Sequence, residues 1–396
     1  MFRVRKRIVG IDIGATGVKV MVVKKVRDRH YLLEKLGMAP LPEGVVVKGS
    51  ILNRSAVTHA LREAIQQAGI TLRQAALAVG SQQVVLRHVK LPKMKEEEIR
   101  EALRWEMDQY VPIPASEAVF DYLIVGERME EGVMQWEILL IAAPLKVVEE
   151  YVLAVKDAGL EPVAVDIEPL AVARVLRHHA HLNQEIAQYY QRDNIVVLDF
   201  GHEDTKMILY RRGYPEMFRI INTGIFTLEK SIATALNISL GEAEQLLGRY
   251  GLTEAVSDEL ERAGRITLLD ERTLFDLKAF NEAAYSLDLN TGEKKQPVNL
   301  QKELFIHLDE LLREVRRSVE YFRLQYRGEE VSRILLLGGG AGLKGLREMV
   351  EDSLDIPTSI YSPLEMVEPG PEVSRDLSQM MPRLVQVLGL AMREGK

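Results

Sequence analysis

Cysteine is absent from all 396 residues, which excludes disulfides and thiolate metal sites. Aromatic residues are scarce at 6%, with only two tryptophans. No apolar run reaches the roughly 18 to 20 residues that span a bilayer, and the apolar stretch after the basic opening Arg3–Arg7 lacks a signal peptide's cleavage pattern. A solvated end is expected there, and the cytoplasm is the expected location. Excess positive charge is also missing: 51 Lys and Arg against 58 Asp and Glu leave a formal net charge of −7, which argues against non-specific nucleic-acid binding. What remains is the composition of an ordinary globular protein, 47% hydrophobic and 28% charged, with room for two domains or one bilobed α/β molecule.

One stretch organises the chain. Ile8 to Lys24 reads IVGIDIGATGVKVMVVK, two β-branched runs joined by a tight turn, which predicts a hairpin. Gly14 and Gly17 are expected to take positive φ and to let a ligand approach the turn amides of Ala15 and Thr16. Asp12 ends the first strand, where it can hold magnesium through water, and Lys19 can reach a phosphate from the second. The pattern then recurs. Asn194 to Gly213 reads NIVVLDFGHEDTKMILYRRG, so that Asp199, Gly201 and Lys206 repeat Asp12, Gly14 and Lys19 at one constant offset. A repeat at domain spacing predicts two related halves facing each other across a cleft. Asp12 and Asp199 are then the candidate metal residues.

Between the hairpins, strand Tyr31–Met38, helix Ala56–Ala68 and strand Ala75–Gly80 are expected to complete an α/β half. From Val84 to Ala158 the order strand, helix, strand, strand, helix predicts an inserted module. Its aromatics Trp105, Tyr110 and Tyr122 are expected in its core. After the strand Glu161–Asp166, Glu168-Pro169-Leu170-Ala171 opens a helix with proline in its first turn. His178, His179 and His181 fall in a polar connector, 178–193, expected to be a solvated linker rather than a metal site.

After the second hairpin come helices over Thr227–Leu236 and Leu240–Tyr250, then a charged, weakly periodic segment, Leu252–Leu300, expected to be the most mobile part. Lys302–Arg327 has the stripe of one long helix. The strand Arg333–Leu337 runs into Gly338-Gly339-Gly340-Ala341-Gly342, with a helix expected from Leu343. Gly340, Gly342 and Gly345 fit the dinucleotide fingerprint, but too little chain follows for a Rossmann half, and no acidic residue closes the next strand. The glycines instead suit a nucleoside lying on backbone at a helix N-terminus. A small-residue helix, Arg383–Arg393, closes the core.

Two Asp-x-Gly hairpins, a Glu-Pro-x-Ala helix, Gly-Gly-Gly before a helix and a small-residue closing helix form an ordered set. Together they resemble the actin-like ATPase superfamily. The module after Gly80 resembles the 1C subdomain of FtsA and of the PilM family of type IV pilus assembly proteins. Leu91-Pro92-Lys93-Met94-Lys95, Ala102-Leu103-Arg104-Trp105-Glu106, Tyr110-Val111-Pro112 and Ser318-Val319-Glu320-Tyr321-Phe322-Arg323 resemble the PilM pattern in particular.

The resemblance implies an actin-like, ribonuclease H-like two-lobed α/β fold. Its divisions would be 1–81 with 160–193 (1A), 82–159 (1C), 194–223 with 328–396 (2A) and 224–327 (2B). It implies ATP and Mg2+ held by Asp12, Gly14, Ala15, Thr16, Gly17, Lys19, Asp199, Gly201, Glu244, Gly338, Gly339 and Gly340. It further implies a cytoplasmic adaptor docking the N-terminal cytoplasmic peptide of PilN in a groove beside the module, recruited to the inner membrane through partners. Pilus motor ATPases and further copies of the chain are additional partners it suggests. Glu168 and Asp199 are the candidate catalytic residues, with slow or absent turnover expected. Relatives often carry Ala-Glu-x-x-Lys beside the adenosine, whereas here Ala243-Glu244 is followed by Leu247. Rival readings remain an FtsA-like divisome protein, which needs an amphipathic membrane tail after the last helix, a filament-forming actin homologue, and a small-molecule kinase, which needs a base between the lobes.

Overall fold

A computed structural model describes residues 7–26, 30–252, 300–373 and 377–393. The segment Leu252–Leu300, expected to be mobile, lies almost wholly outside the described residues. Apolar runs rich in β-branched residues become β1 (Val9–Ile13) and β2 (Gly17–Lys25), the partly buried segment Tyr31–Pro40 becomes β3, and a short hairpin β4 (Val46–Val47) and β5 (Ser50–Ile51) and the alanine-rich β6 (Gln74–Val79) follow. Helix α1 (Arg54–Gln67) is capped by Asn53, whose side chain accepts from the Ala56 amide at 3.1 Å. Its buried stripe Val57, Leu61 and Ala64 faces the sheet.

The inserted module begins at β7 (Val85–Pro92) and continues through α2 (Glu96–Tyr110), β8 (Ala118–Glu130), β9 (Val133–Pro144) and α3 (Leu145–Asp157). In α2 the Glu96–Glu98 run sits at the positive end of the dipole. β7, β9 and β8 form a separate antiparallel sheet with β8 on its edge. Trp105 does not join the module's core: it is 87% exposed. The buried stripe is Ile99, Leu103 and Met107, at four-residue spacing, and Trp105 lies two positions past Leu103, off that face. Tyr110 and Tyr122 do pack against the core, half-buried.

β10 (Glu161–Ile167) returns the chain to the first sheet, followed by α4 (Glu168–His179) and α5 (Gln184–Gln191). The expected solvated linker is therefore largely helical. Asn183 caps α5 by accepting from the Glu185 and Ile186 amides. His179 is buried, with its Nδ1 3.0 Å from the Tyr361 hydroxyl and its Nε2 3.2 Å from Glu365. Burial pushes its pKa below the ordinary histidine value.

The second half repeats the first. β11 (Asn194–Phe200), β12 (Thr205–Arg211) and β13 (Tyr214–Ile221) form a meander, then α6 (Ile225–Leu236), α7 (Leu240–Tyr250) and α8 (Leu300–Gln325) precede β14 (Val331–Leu337). α9 (Leu346–Leu354), β15 (Thr358–Ile360), β16 (Val367–Pro369) and α10 (Val385–Ala391) complete the chain. α9 starts three residues later than expected, because Leu343 lies in a turn closed by its amide on the Gly340 carbonyl.

The first sheet has the order β10-β6-β1-β2-β3-β16 and the second β13-β12-β11-β14-β15. In each, a three-stranded antiparallel meander meets two parallel strands in the same order. The register repeats as well: Asp12 pairs with Lys19 and Asp199 with Lys206. α4 and α10 pack between the sheets, sharing a core with Met21 and Leu33 on one side and Ile195, Val197 and Leu335 on the other. Among the described residues no helix is long and apolar enough to cross a membrane.

Candidate nucleotide cleft and partner groove

The two hairpin turns face one cavity of about 460 Å³ between the sheets. In the first turn the Gly14 amide donates to the Gly17 carbonyl at 3.0 Å, and in the second Gly201 donates to Asp204 at 2.9 Å. Neither Gly14, Gly17 nor Gly201 has a positive φ, which corrects the expectation for the first two. Gly17 is required for close approach, since a Cβ there would stand 2.7 Å from the Ala39 carbonyl.

The polar groups of the cavity interlock. Lys19 Nζ donates to Asp12 Oδ2 at 2.6 Å, and Gln386 Nε2 on α10 donates to Asp12 Oδ1 at 3.1 Å. Lys206 Nζ donates to Glu168 Oε1 at 2.8 Å. Glu168 Oε2 is buried and has no hydrogen-bond partner among the described residues. Burial raises the pKa of Glu168, opposed chiefly by Lys206. It raises Asp199 and Asp204 likewise, again with Lys206 opposing. Burial works against the Lys206 charge, but Glu168, Asp204, Asp199 and Asp12 surround it and hold its pKa well above the ordinary lysine value.

The expected residues Asp12, Gly14, Ala15, Thr16, Gly17, Lys19, Glu168, Asp199, Gly201, Gly338 and Gly339 all line this cavity. Gly338 has φ +90 and sits where a Cβ would meet Asp199 Oδ1 at 2.3 Å. Glu244 and Gly340 are not among the lining residues. Gly340 is buried against Phe200, whose ring would lie 2.2 Å from an added Cβ, so its role is packing. Glu244 is exposed on α7, near enough for its charge to raise His202 against the lowering effect of burial. Leu247, where the family resemblance implies a lysine, is 2% exposed within the core of the second half.

Several lining residues were not singled out by sequence: Lys48, His202, Glu203, Asp204, Arg383 and Gln386. Gln386 did carry a signal, as the one polar residue in the run Leu384–Ala391. Asp204 takes the place in the second turn that Gly17 takes in the first.

This lining fits a nucleotide that arrives with a divalent cation. Asp12, Glu168, Asp199, Glu203 and Asp204 would repel a bare polyphosphate, and both Lys19 and Lys206 are already paired with carboxylates. Among the described residues no group of three or more His, Asp or Glu is arranged to hold a metal ion. A cation would take most of its ligands from phosphate oxygens and water, as Mg2+ does.

A second cavity, about 520 Å³, lies between the module and the first sheet. Its walls come from β8 (Val119, Asp121, Leu123), β10 (Val165, Ile167) and α4 (Leu170). Arg100, Arg174, Arg177 and Arg393 line it together with Asp121, which pairs with Arg100, and Asp166, which pairs with Arg174 and Arg393. Among the described residues β8 and β10 are both edge strands, each paired on one side only.

The family model for type IV pilus assembly protein PilM matches residues 10–260 and 284–395. Among solved structures, the PilM-PilN type IV pilus biogenesis complex superposes with a TM-score of 0.75 at 26% identity, covering 98% of this chain and 98% of that one. Ethanolamine utilization protein EutJ from Carboxydothermus hydrogenoformans gives a TM-score of 0.52 at 16% identity, over 98% of this chain and 89% of that one. Cell division protein FtsA of Bacillus subtilis (strain 168) is 24% identical over 380 residues, 90% of this chain and 78% of FtsA. With its duplicated sheets in the actin-like two-lobed arrangement, the chain belongs to the family of type IV pilus assembly protein PilM.

Proposed function

We propose that the chain is an ATP-binding adaptor of the type IV pilus inner-membrane assembly complex, and that it holds the cytoplasmic N-terminal peptide of PilN in the groove between the module and the first sheet. The observation that carries this reading is the groove itself. It has apolar walls, four arginines against two aspartates in its lining, and two strand edges unpaired among the described residues, which suits an extended peptide. The similarity to a structure titled as a PilM-PilN complex supports the choice of occupant. Residues 82–159 are then the partner-facing module, and the chain reaches the inner membrane through its partner.

In the cleft, the turn amides of Ala15 and Thr16, with Lys19, are the phosphate-facing groups, the Gly14 and Gly201 amides being engaged within their own turns, and Gly338 and Gly339 are the nucleoside-facing backbone. Asp12 and Asp199 would hold Mg2+ through water, and Glu168 Oε2 is the remaining unpartnered acceptor for that hydration shell. Bound Mg2+ would neutralise the phosphate charge that the carboxylates repel. Hydrolysis needs a group that orients water at the γ-phosphate. Glu168 is the candidate, but its Oε1 is engaged by Lys206, which favours slow turnover and a nucleotide that acts as a ligand.

Calorimetric titration of a synthetic PilN N-terminal peptide tests the groove. Saturable binding to the wild type that Leu123→Asp abolishes supports it. Absence of binding to the wild type, with and without Mg-ATP, would refute the adaptor reading.

A further inference from the structure

Of the lysines and arginines that line the cleft, Lys19 is bonded to Asp12 and Lys206 to Glu168. Lys48 and Arg383 also line it, and neither side chain has a hydrogen-bond or ion-pair partner among the described residues. They belong to different parts of the lining. Arg383 follows Pro382, whose carbonyl accepts from the Gly338 amide at 3.1 Å, which puts it beside the glycines read above as facing the nucleoside. Lys48 belongs to the part that holds Glu168.

A two-residue turn places Lys48. β4 and β5 pair Val47 with Ser50, so Lys48 and Gly49 alone connect them. Both have positive φ, +49 and +70, as the type I′ turn of such a hairpin requires. Asparagine, aspartate or glycine is the ordinary first residue of that turn, and a lysine there costs backbone strain. The turn is held from the module side: Tyr151 of α3, 1% exposed, donates its hydroxyl to the Gly49 carbonyl at 3.0 Å. Burial pushes the Tyr151 pKa above its ordinary value, so the phenol stays a donor. A Cβ on Gly49 would collide with the Gly80 carbonyl, and one on Gly80 with the Glu168 carboxylate. The Lys48 turn therefore abuts the Glu168 end of the cleft through Gly80, while the Lys48 side chain itself stays exposed.

We propose that Lys48 contacts the terminal phosphate of the bound nucleotide, so that the cleft prefers Mg-ATP to Mg-ADP. This rests on the nucleotide reading above, in which Gly338 and Gly339 face the nucleoside and Glu168 faces the γ-phosphate. A γ-phosphate brings further negative charge to the end of the cleft where Glu168 already stands, and the Lys206 ammonium is engaged by that carboxylate. Lys48 adjoins the same end with its charge not yet balanced by a carboxylate. A diphosphate ends short of this position and gains nothing from the ammonium. Tyr151 is a positioning residue: it holds the Gly49 carbonyl and so fixes the turn that carries Lys48.

Calorimetric titration of Mg-ADP and of the non-hydrolysable Mg-AMPPNP into the same protein gives the ratio of their dissociation constants. The wild type is expected to bind the triphosphate about tenfold or more tightly than the diphosphate, the range of one charge-assisted hydrogen bond. Lys48→Met is expected to lower that ratio by about tenfold or more, Tyr151→Phe to lower it part of the way, and Lys48→Arg, which keeps the charge, to retain it. Should Lys48→Met fail to fold, Lys48→Asn replaces it with the same expected ratio, since asparagine suits this turn position. A wild type that binds both nucleotides equally, a preference that survives the loss of the Lys48 charge, or one that Lys48→Arg lowers as far as Lys48→Met does, overturns the role of Lys48 and leaves the nucleotide cleft standing. Failure of both nucleotides to bind the wild type overturns both.

Discussion

Lys206→Met is the perturbation that most sharply questions the charge balance of the cleft. Lys206 is 19% exposed at its side chain and its partner Glu168 4%, so water screens the pair weakly. Removing one member of such a pair costs about 3–5 kcal/mol, because the other charge is left buried without compensation. Asp199, Asp204 and Asp12 also face this ammonium, which places the expected loss in the upper part of that range. Adding Glu168→Gln should recover part of it, since the orphaned carboxylate is removed together with its partner. The pH dependence has a definite sign. The Glu168 pKa is raised in the folded protein from its ordinary 4.5, so its contribution to stability is full below that value and is lost as pH rises through the folded pKa. Without Lys206 this effect grows, and the defect of Lys206→Met should shrink as pH falls from 7.5 toward 5. Urea denaturation followed by circular dichroism, for wild type, both single variants and the double variant, measures the cycle. A Lys206→Met protein within about 0.5 kcal/mol of wild type at pH 7.5, the range of an ordinary surface change, would refute the buried, paired cleft.

Three further outcomes are expected. Leu247→Ala should cost about 2–5 kcal/mol as a core truncation, and Leu247→Lys should destabilise without tightening nucleotide binding, because the position faces the core; a lysine variant that binds Mg-ATP more tightly than wild type would contradict this. Trp105→Ala should change stability by no more than about 0.5 kcal/mol, which thermal denaturation reads directly. The thermal stabilisation conferred by Mg-ATP should increase from pH 5 to pH 7.5, because the cation requires ionised carboxylates and burial raises the pKa of Glu168, Asp199 and Asp204; a larger effect at pH 5 would count against a metal-dependent site.

Residues close in sequence were the legible part of this site. Both Asp-x-Gly hairpins lie within single β-branched segments, so the pairing of Asp12 with Lys19 and of Asp199 with Lys206 follows from a two-residue strand period and a short turn. The duplication was legible for the same reason. The lining of the groove was not, since β8, β10, α4 and the chain just after α10 converge only in the folded chain. α5 escaped because eight residues are short for a helix, although its buried Ile186, Tyr189 and Tyr190 stand at helical spacing. Trp105 was misplaced by residue type, although the spacing of Ile99, Leu103 and Met107 already put it off the buried stripe. Gly340 has the composition of a ligand-binding glycine and the environment of a packing one, a distinction that depends on Phe200 from another strand.

The central claim, that the duplicated hairpins form a Mg-nucleotide cleft, is tested most directly by calorimetric titration of Mg-ATP into the wild type and into Asp12→Ala. Saturable, magnesium-dependent binding at one site per chain, lost in the variant, is the predicted result. No binding to the wild type, or equal binding to both proteins, would contradict it.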